Sequence, residues 1–373
     1  MRCFNTAVTS GWYLQAVETP TSRSAGEARP VTHAPAPAWT AHPSRMPEPA
    51  APVPEPKRKI KLGSVRAAIA VDKVFAATVL ACAASILGIL GLIVYELAVR
   101  SKLSVQEFGL KFFTGSHWDP VSGLFGAVPF IYGTLVSSFL AVLLAVPLAV
   151  GVAVFVTEVC PRSLRGAISF LVELLAAIPS VIYGLWAIFV LAPLLRDHVQ
   201  PLLATYLGWT GLFSGPAYGL GMLAAGVILA IMIVPIICSI TREVMLAVPQ
   251  NQREAVLALG ATRWEMVRMG VLRNARAGVL GAVILGLGRA IGETMAVTMV
   301  IGNRPEIAKS LFAPGYTMAS VIANEFSEAT DDLYLSALVE IGLALMIVTL
   351  IVNTCARLLV WSITRGTPAR AHA

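Results

Sequence analysis

Arg289 and Glu293 stand inside Ala277–Ile301, a stretch otherwise free of charge and long enough to cross a bilayer. A charged side chain at the centre of a membrane helix costs roughly 2.5–3.5 kcal/mol, so two of them point to a function. Residues four apart on a helix lie about 40° apart around its axis, which puts guanidinium and carboxylate on one face, able to pair. Gly288 and Gly292 repeat at the same interval and let a second helix approach that face closely. Thr294 and Thr298 fall near the same sector and add hydroxyls. The alternative is a buried ion pair that only fixes packing. Glu173 and Glu340 are the other charges well inside apolar stretches, and each either lines the same route or pairs with a polar neighbour. Pro179, in Ala176-Ala177-Ile178-Pro179-Ser180, either breaks its helix beside that route or merely kinks it.

The elements that position these residues follow from composition. The chain is 57% hydrophobic and 13% charged, with a mean hydropathy of +0.75, values outside the range of soluble domains. Six stretches carry the ~17–25 apolar residues of a spanning helix. They are Val74–Val99, Phe130–Val156, Ala167–Leu195, Leu220–Ile240, Ala277–Ile301 and Leu333–Trp361. Basic residues accumulate in loops that stay in the cytoplasm. With the N-terminus inside, the inner segments hold seventeen Lys and Arg and the outer ones six, which favours both termini inside. The net charge of +7 then reads as topology and attraction to anionic membrane lipid, with no nucleic-acid motif beside it. The five cysteines and five histidines are scattered, leaving no disulfide framework or metal site in the pattern.

Ten of the 23 prolines lie between Pro20 and Pro56, and so Pro/Ala-rich a segment does not bury enough apolar surface to fold. No apolar core of a signal peptide precedes Val74. The expected organisation is a disordered cytoplasmic tail over 1–66, basic at its membrane end, a membrane domain over 67–365 and a short inner tail over 366–373. A start at Met46 is the alternative for the N-terminal end.

Thr241–Arg276 is the longest inner loop. Pro249 before a helix-favouring run and Gly260 after it frame a helix of about three turns. Val256, Leu257, Leu259 and Trp264 make it apolar enough to seat in a groove of another protein, or to lie on the lipid surface. Glu254-Ala255 followed by Gly260 resembles the "EAA" coupling loop of ABC importer permeases, with Val256, Gly270 and Arg273 departing from the fuller pattern.

The strings around it are more specific. Gly286 to Thr298, Glu173 to Ser180 with Tyr183-Gly184, Phe213-Ser214-Gly215-Pro216-Ala217, and Leu311-Phe312-Ala313-Pro314-Gly315 resemble the PstC-type permeases of phosphate-specific ABC importers, in order, from about Ala70 to Trp361. The resemblance implies an all-α integral membrane protein with six transmembrane helices, the type I (MetI-like) importer permease fold, N-in/C-in. It implies a second, PstA-type permease, a PstB-type ATPase dimer holding ATP and magnesium, and an extracytoplasmic PstS-type phosphate-binding protein. Glu254, Ala255, Leu257 and Gly260 would then dock the ATPase. Arg289, Glu293, Thr294 and Thr298 would line the phosphate path, since a guanidinium stays protonated and offers two parallel hydrogen bonds to an oxyanion. No cofactor is expected on this chain, which lacks the G-x-x-x-x-G-K-[ST] phosphate loop of an ATPase.

Other functions stay open from the residues alone. One arginine does not separate phosphate from another oxyanion. An ion-coupled secondary transporter would use Glu293 as a proton carrier and show two related halves, and no internal repeat is evident. A membrane scaffold would have no use for intramembrane charge.

Overall fold

The computed structural model describes residues 62–364, with side chains over 71–362. The tails expected at either end lie almost wholly outside the described residues. The packing below is that of the unit Asp72–Ala373.

The described residues form helices α1 (Leu62–Arg100), α2 (Lys102–Phe108), α3 (Val128–Val159), α4 (Arg162–Ala176), α5 (Ser180–Thr210) and α6 (Met222–Leu246). They continue with α7 (Gln250–Ala258), α8 (Arg263–Ile291), α9 (Met295–Val300), α10 (Met318–Glu325) and α11 (Asp332–Thr364). Six of these, α1, α3, α5, α6, α8 and α11, are long and apolar enough to cross a membrane. The expected six-helix membrane class is therefore met.

Small residues set the core. Ala141, Ala145, Ala149 and Ala153 recur every fourth position of α3 and are all fully buried. They bring α3 against α6, whose Ile228, Leu229, Ile233 and Ile237 fill the seam. A methyl at Gly226 of α6 would stand 2.5 Å from Leu140 Cδ2 of α3, and one at Gly286 of α8 would stand 2.8 Å from Ile237 of α6. At both positions a larger residue would force the facing side chain to shift. In contrast, α1 buries almost nothing from Val71 to Arg100.

A second cluster closes the end opposite α7. Phe112, Trp118, Phe125, Phe130, Tyr316 and Tyr334 pack together there. The Trp118 indole N–H and the Tyr334 hydroxyl both donate to the Glu325 carboxylate, at 2.8 and 2.7 Å. Asn324 Nδ2 donates to the Tyr316 hydroxyl at 2.9 Å, and burial pushes that phenol well above its ordinary pKa.

The same end also caps α6. A helix leaves its first N–H groups without partners. Here the amides of Gly221, Met222 and Leu223 donate to the carbonyls of Val300, Ala313 and Leu311, at 2.9, 3.1 and 2.8 Å. Leu311 N–H in turn donates to Leu212 O at 2.8 Å, and Phe213 meets Phe312 edge-on at 5.8 Å. The two family-like strings, about a hundred residues apart, thus form one structure.

Two apolar stretches read as single spans are interrupted. Ala167–Leu195 is divided where α4 ends at Ala176 and α5 begins at Ser180. Pro179 is the N-cap of α5 with ψ 139°, an extended conformation that stops the preceding helix. Ala277–Ile301 is divided where α8 ends at Ile291 and α9 begins at Met295.

Candidate translocation site

The break in the fifth stretch decides the geometry of the charged residues. Gly292 N–H donates to Gly288 O at 3.3 Å and Glu293 N–H to Ala290 O at 3.4 Å, a tightened last turn that closes α8. Gly292, the C-cap of α8, leaves helical geometry with φ −89° and ψ 0°, and Thr298 N–H donates to Thr294 O at 3.0 Å as α9 starts. Arg289 and Glu293 therefore do not share one helical face. Among the described residues no ion pair joins them, which corrects the expectation drawn from their spacing. Arg289 is exposed, whereas Glu293 is 9% exposed.

The helices that follow the two interruptions, α5 after 177–179 and α9 after 292–294, lie against each other. Gly184, near the start of α5, lies against α9, where a methyl would stand 2.5 Å from Met299 Sδ and 3.2 Å from Ala296 Cα. Tyr183 donates its hydroxyl to Leu175 O at 2.8 Å, spanning the Pro179 break. Discontinuous helices of this kind border substrate sites in membrane transporters, because irregular backbone at depth is tolerated only in protein or along a watery path.

The hydroxyls are unequal. Thr298 donates to Thr294 O at 2.8 Å, so its proton is already committed. Thr294 makes only a long 3.4 Å contact to Gly292 O and is the freer donor. Glu173 is not brought to Arg289. It pairs with Arg242 of α6 at 2.9 Å and is largely exposed. Glu340 is also elsewhere: it is 1% exposed, with Oε2 lacking a hydrogen-bond partner among the described residues. Asn353, the α11 residue opposite Gly288, is roughly 20 Å along that helix from Glu340.

At the α7 end, Glu254, Ala255 and Leu257 face outward, as do Leu259 at 88% and Trp264 at 65% exposure. Gly260 takes φ +83°, a left-handed conformation suited to glycine, and its N–H donates to Leu257 O at 2.9 Å. A capping box between Thr262 and Glu265 then starts α8. The residues that tie α7 to the other helices were missed by sequence reasoning. Arg253 bonds to Met245 O and pairs with Glu158 of α3, and Gln252 accepts from Asn274 of α8 at 2.7 Å. The one available signal was Arg253 itself, a charge immediately before the family-like Glu254.

Over residues 145–365 the chain matches the family described as the binding-protein-dependent transport system inner membrane component. The phosphate transport system permease protein PstC of Mesorhizobium japonicum is 47% identical over 316 residues, covering 84% of this chain and 97% of that protein. The PstC of Haemophilus influenzae is 44% identical over 294 residues, covering 78% and 93%. The fold recurs in a bacterial ABC transporter involved in alginate import, with a TM-score of 0.54 at 16% identity, covering 81% of this chain and 99% of that one. The chain thus belongs to the binding-protein-dependent inner-membrane transport components, a class of multi-pass permeases. Within that class it falls in the PstC group.

Proposed function

We propose that this chain is the permease subunit that forms half of the pore of an ATP-driven phosphate importer. The observation that carries the reading is Arg289, exposed and with no ion pair among the described residues, at the end of an interrupted helix inside an apolar stretch. Phosphate at neutral pH is a mono- or dianion, and its passage through a low-dielectric core needs compensating positive charge. Arg289 supplies it in a bidentate geometry, with Thr294 as a neighbouring donor. Glu293 sits beside the break as the counter-charge that keeps binding weak enough for release.

In this reading both termini and α7 face the cytoplasm, in keeping with the basic residues of 241–276. The outward face of α7, with Glu254, Ala255 and Leu257 up to the Gly260 turn, seats in a PstB-type ATPase. Closure of the ATPase around ATP and magnesium would rock the spans about the interruptions. A PstA-type permease supplies the other half of the pore, and a PstS-type protein delivers phosphate at the far end. This chain itself hydrolyses no ATP.

The test is ATP-driven phosphate uptake by proteoliposomes carrying the assembled complex. Arg289→Gln should cut uptake at least tenfold with the ATPase still bound. Undiminished uptake would reduce Arg289 to a packing residue. Equal uptake of sulfate by the wild type would widen the cargo to oxyanions in general.

A further inference from the structure

The ion pair between Arg253 and Glu158 does not involve Arg289 and joins helices distant in sequence. Arg253 Nη2 stands 3.2 Å from Glu158 Oε1, with only 15% and 9% of the two side chains exposed. The same nitrogen donates to Met245 O in the last turn of α6 at 2.8 Å. Glu158 belongs to the π-helical final turn of α3. That turn is also held from α4, where Arg165 donates to Thr157 O at 2.7 Å, and from α6, where the Thr157 hydroxyl meets Met245 Sδ at 3.8 Å.

The pair changes what α7 is attached to. Among its further side-chain contacts, the Gln252–Asn274 hydrogen bond and Val256 beside Gly270 lead to α8, the next helix in the chain, and the Arg253 bond to Met245 O leads to α6, the preceding one. Arg253 ties α7 to α3, which is not its neighbour in sequence. A largely buried ion pair contributes little net stability, because desolvation offsets its Coulomb energy, and its better-attested use is to fix register. At the opposite end of α3, Thr134 Oγ1 accepts from Met318 N–H at 3.0 Å, and Gly133 lies directly against the Tyr316 carbonyl. Thr134 and Glu158 are about 36 Å apart along that helix. The alanine seam locks α3 to α6, so a force at Glu158 meets a stiff two-helix unit.

We infer that Arg253 and Glu158 are positioning residues that carry displacement of α7 into α3 and on to the Tyr316–Met318 segment. The inference rests on the reading of α7 as the ATPase-docking helix.

Two measurements on the complete complex test it. The first is phosphate taken up per ATP hydrolysed in the same proteoliposomes, for Glu158→Gln, Arg253→Gln and the double variant. Each single variant should retain the ATPase at the wild-type ratio and lose at least fivefold in phosphate per ATP. The double should be no worse than the worse single, as for two residues acting as one unit. The inference is overturned by ratios within twofold of wild type, by losses that multiply in the double, or by loss of the ATPase from the complex. The second is hydrogen exchange of the Tyr316–Met318 amides with and without vanadate-trapped nucleotide, which does not depend on cargo. A response in the wild type that disappears in the single variants is expected. The same response in the variants, or none in the wild type, overturns the linkage. Absence of phosphate uptake by the wild type would sink the cargo assignment alone.

Discussion

Gly133 and Gly151 lie on the same helix and respond differently to one added methyl group. A Cβ at Gly133 falls on the Tyr316 carbonyl oxygen, a backbone atom with little freedom to move, whereas nothing lies within 4 Å at Gly151. Gly133→Ala should destabilise by about 1–3 kcal/mol through overpacking. Gly151→Ala should be neutral or gain up to ~1 kcal/mol from helix propensity. Thermal unfolding of the detergent-solubilised protein separates the two, and equal melting temperatures would mean that the Tyr316 contact yields. The sequence singled out the residue types at the site but not their relations. Arg289 and Glu293 were visible as charges in an apolar run. Their pairing was not legible, because four-residue spacing predicts a shared face only if the helix continues. The Glu173–Arg242 and Glu158–Arg253 pairs join residues 69 and 95 positions apart, and no local pattern encodes such distances.

Helices and turns were legible to the extent that their signals are local. Apolar length located the spanning stretches, and Pro249 and Gly260 located α7 within a residue or so. Pro179 left a choice between a kink and a break, and the backbone takes the break. The interruption at Gly292 carries no proline, so only a glycine-rich composition hinted at it. One small turn allows a test by pH. The Ser122 hydroxyl donates to Asp119 Oδ2 at 2.6 Å and Val121 N–H to Oδ1 at 3.0 Å. The Ser122 bond first, and the Val121 bond next, hold this carboxyl below the ordinary aspartate range. A depressed folded-state pKa contributes stability that is present above the unfolded value and is lost as pH falls through the folded one. The Leu124 amide, which donates to Asp119 O at 3.2 Å, should keep its exchange protection at neutral pH and lose it below about pH 4. Protection that persists to about pH 2 would show that the carboxylate is dispensable to the turn.

As a whole molecule, the chain presents surfaces that call for covering. Most of α1 is exposed, as are Leu257, Leu259 and Trp264 around α7. Lipid accounts for the first, since membrane-spanning surface is apolar by necessity. For the second, Leu259→Glu discriminates between an ATPase groove and the lipid interface. At 88% exposure the change should leave the melting temperature of the isolated subunit nearly unaltered. It should reduce co-purification of the ATPase several-fold, and full retention of the ATPase would assign this face to lipid. The capped start of α6 has a consequence for hybrid proteins. The amides of Gly221, Met222 and Leu223 find partners, among the described residues, on the segment from Val300 to Ala313, which is itself stitched to Leu212. A chimera that imports either loop alone from a related permease would set down a foreign carbonyl pattern on native donors, and would misassemble there even with every spanning helix intact. The two loops form one heritable cassette, to be exchanged together or left in place.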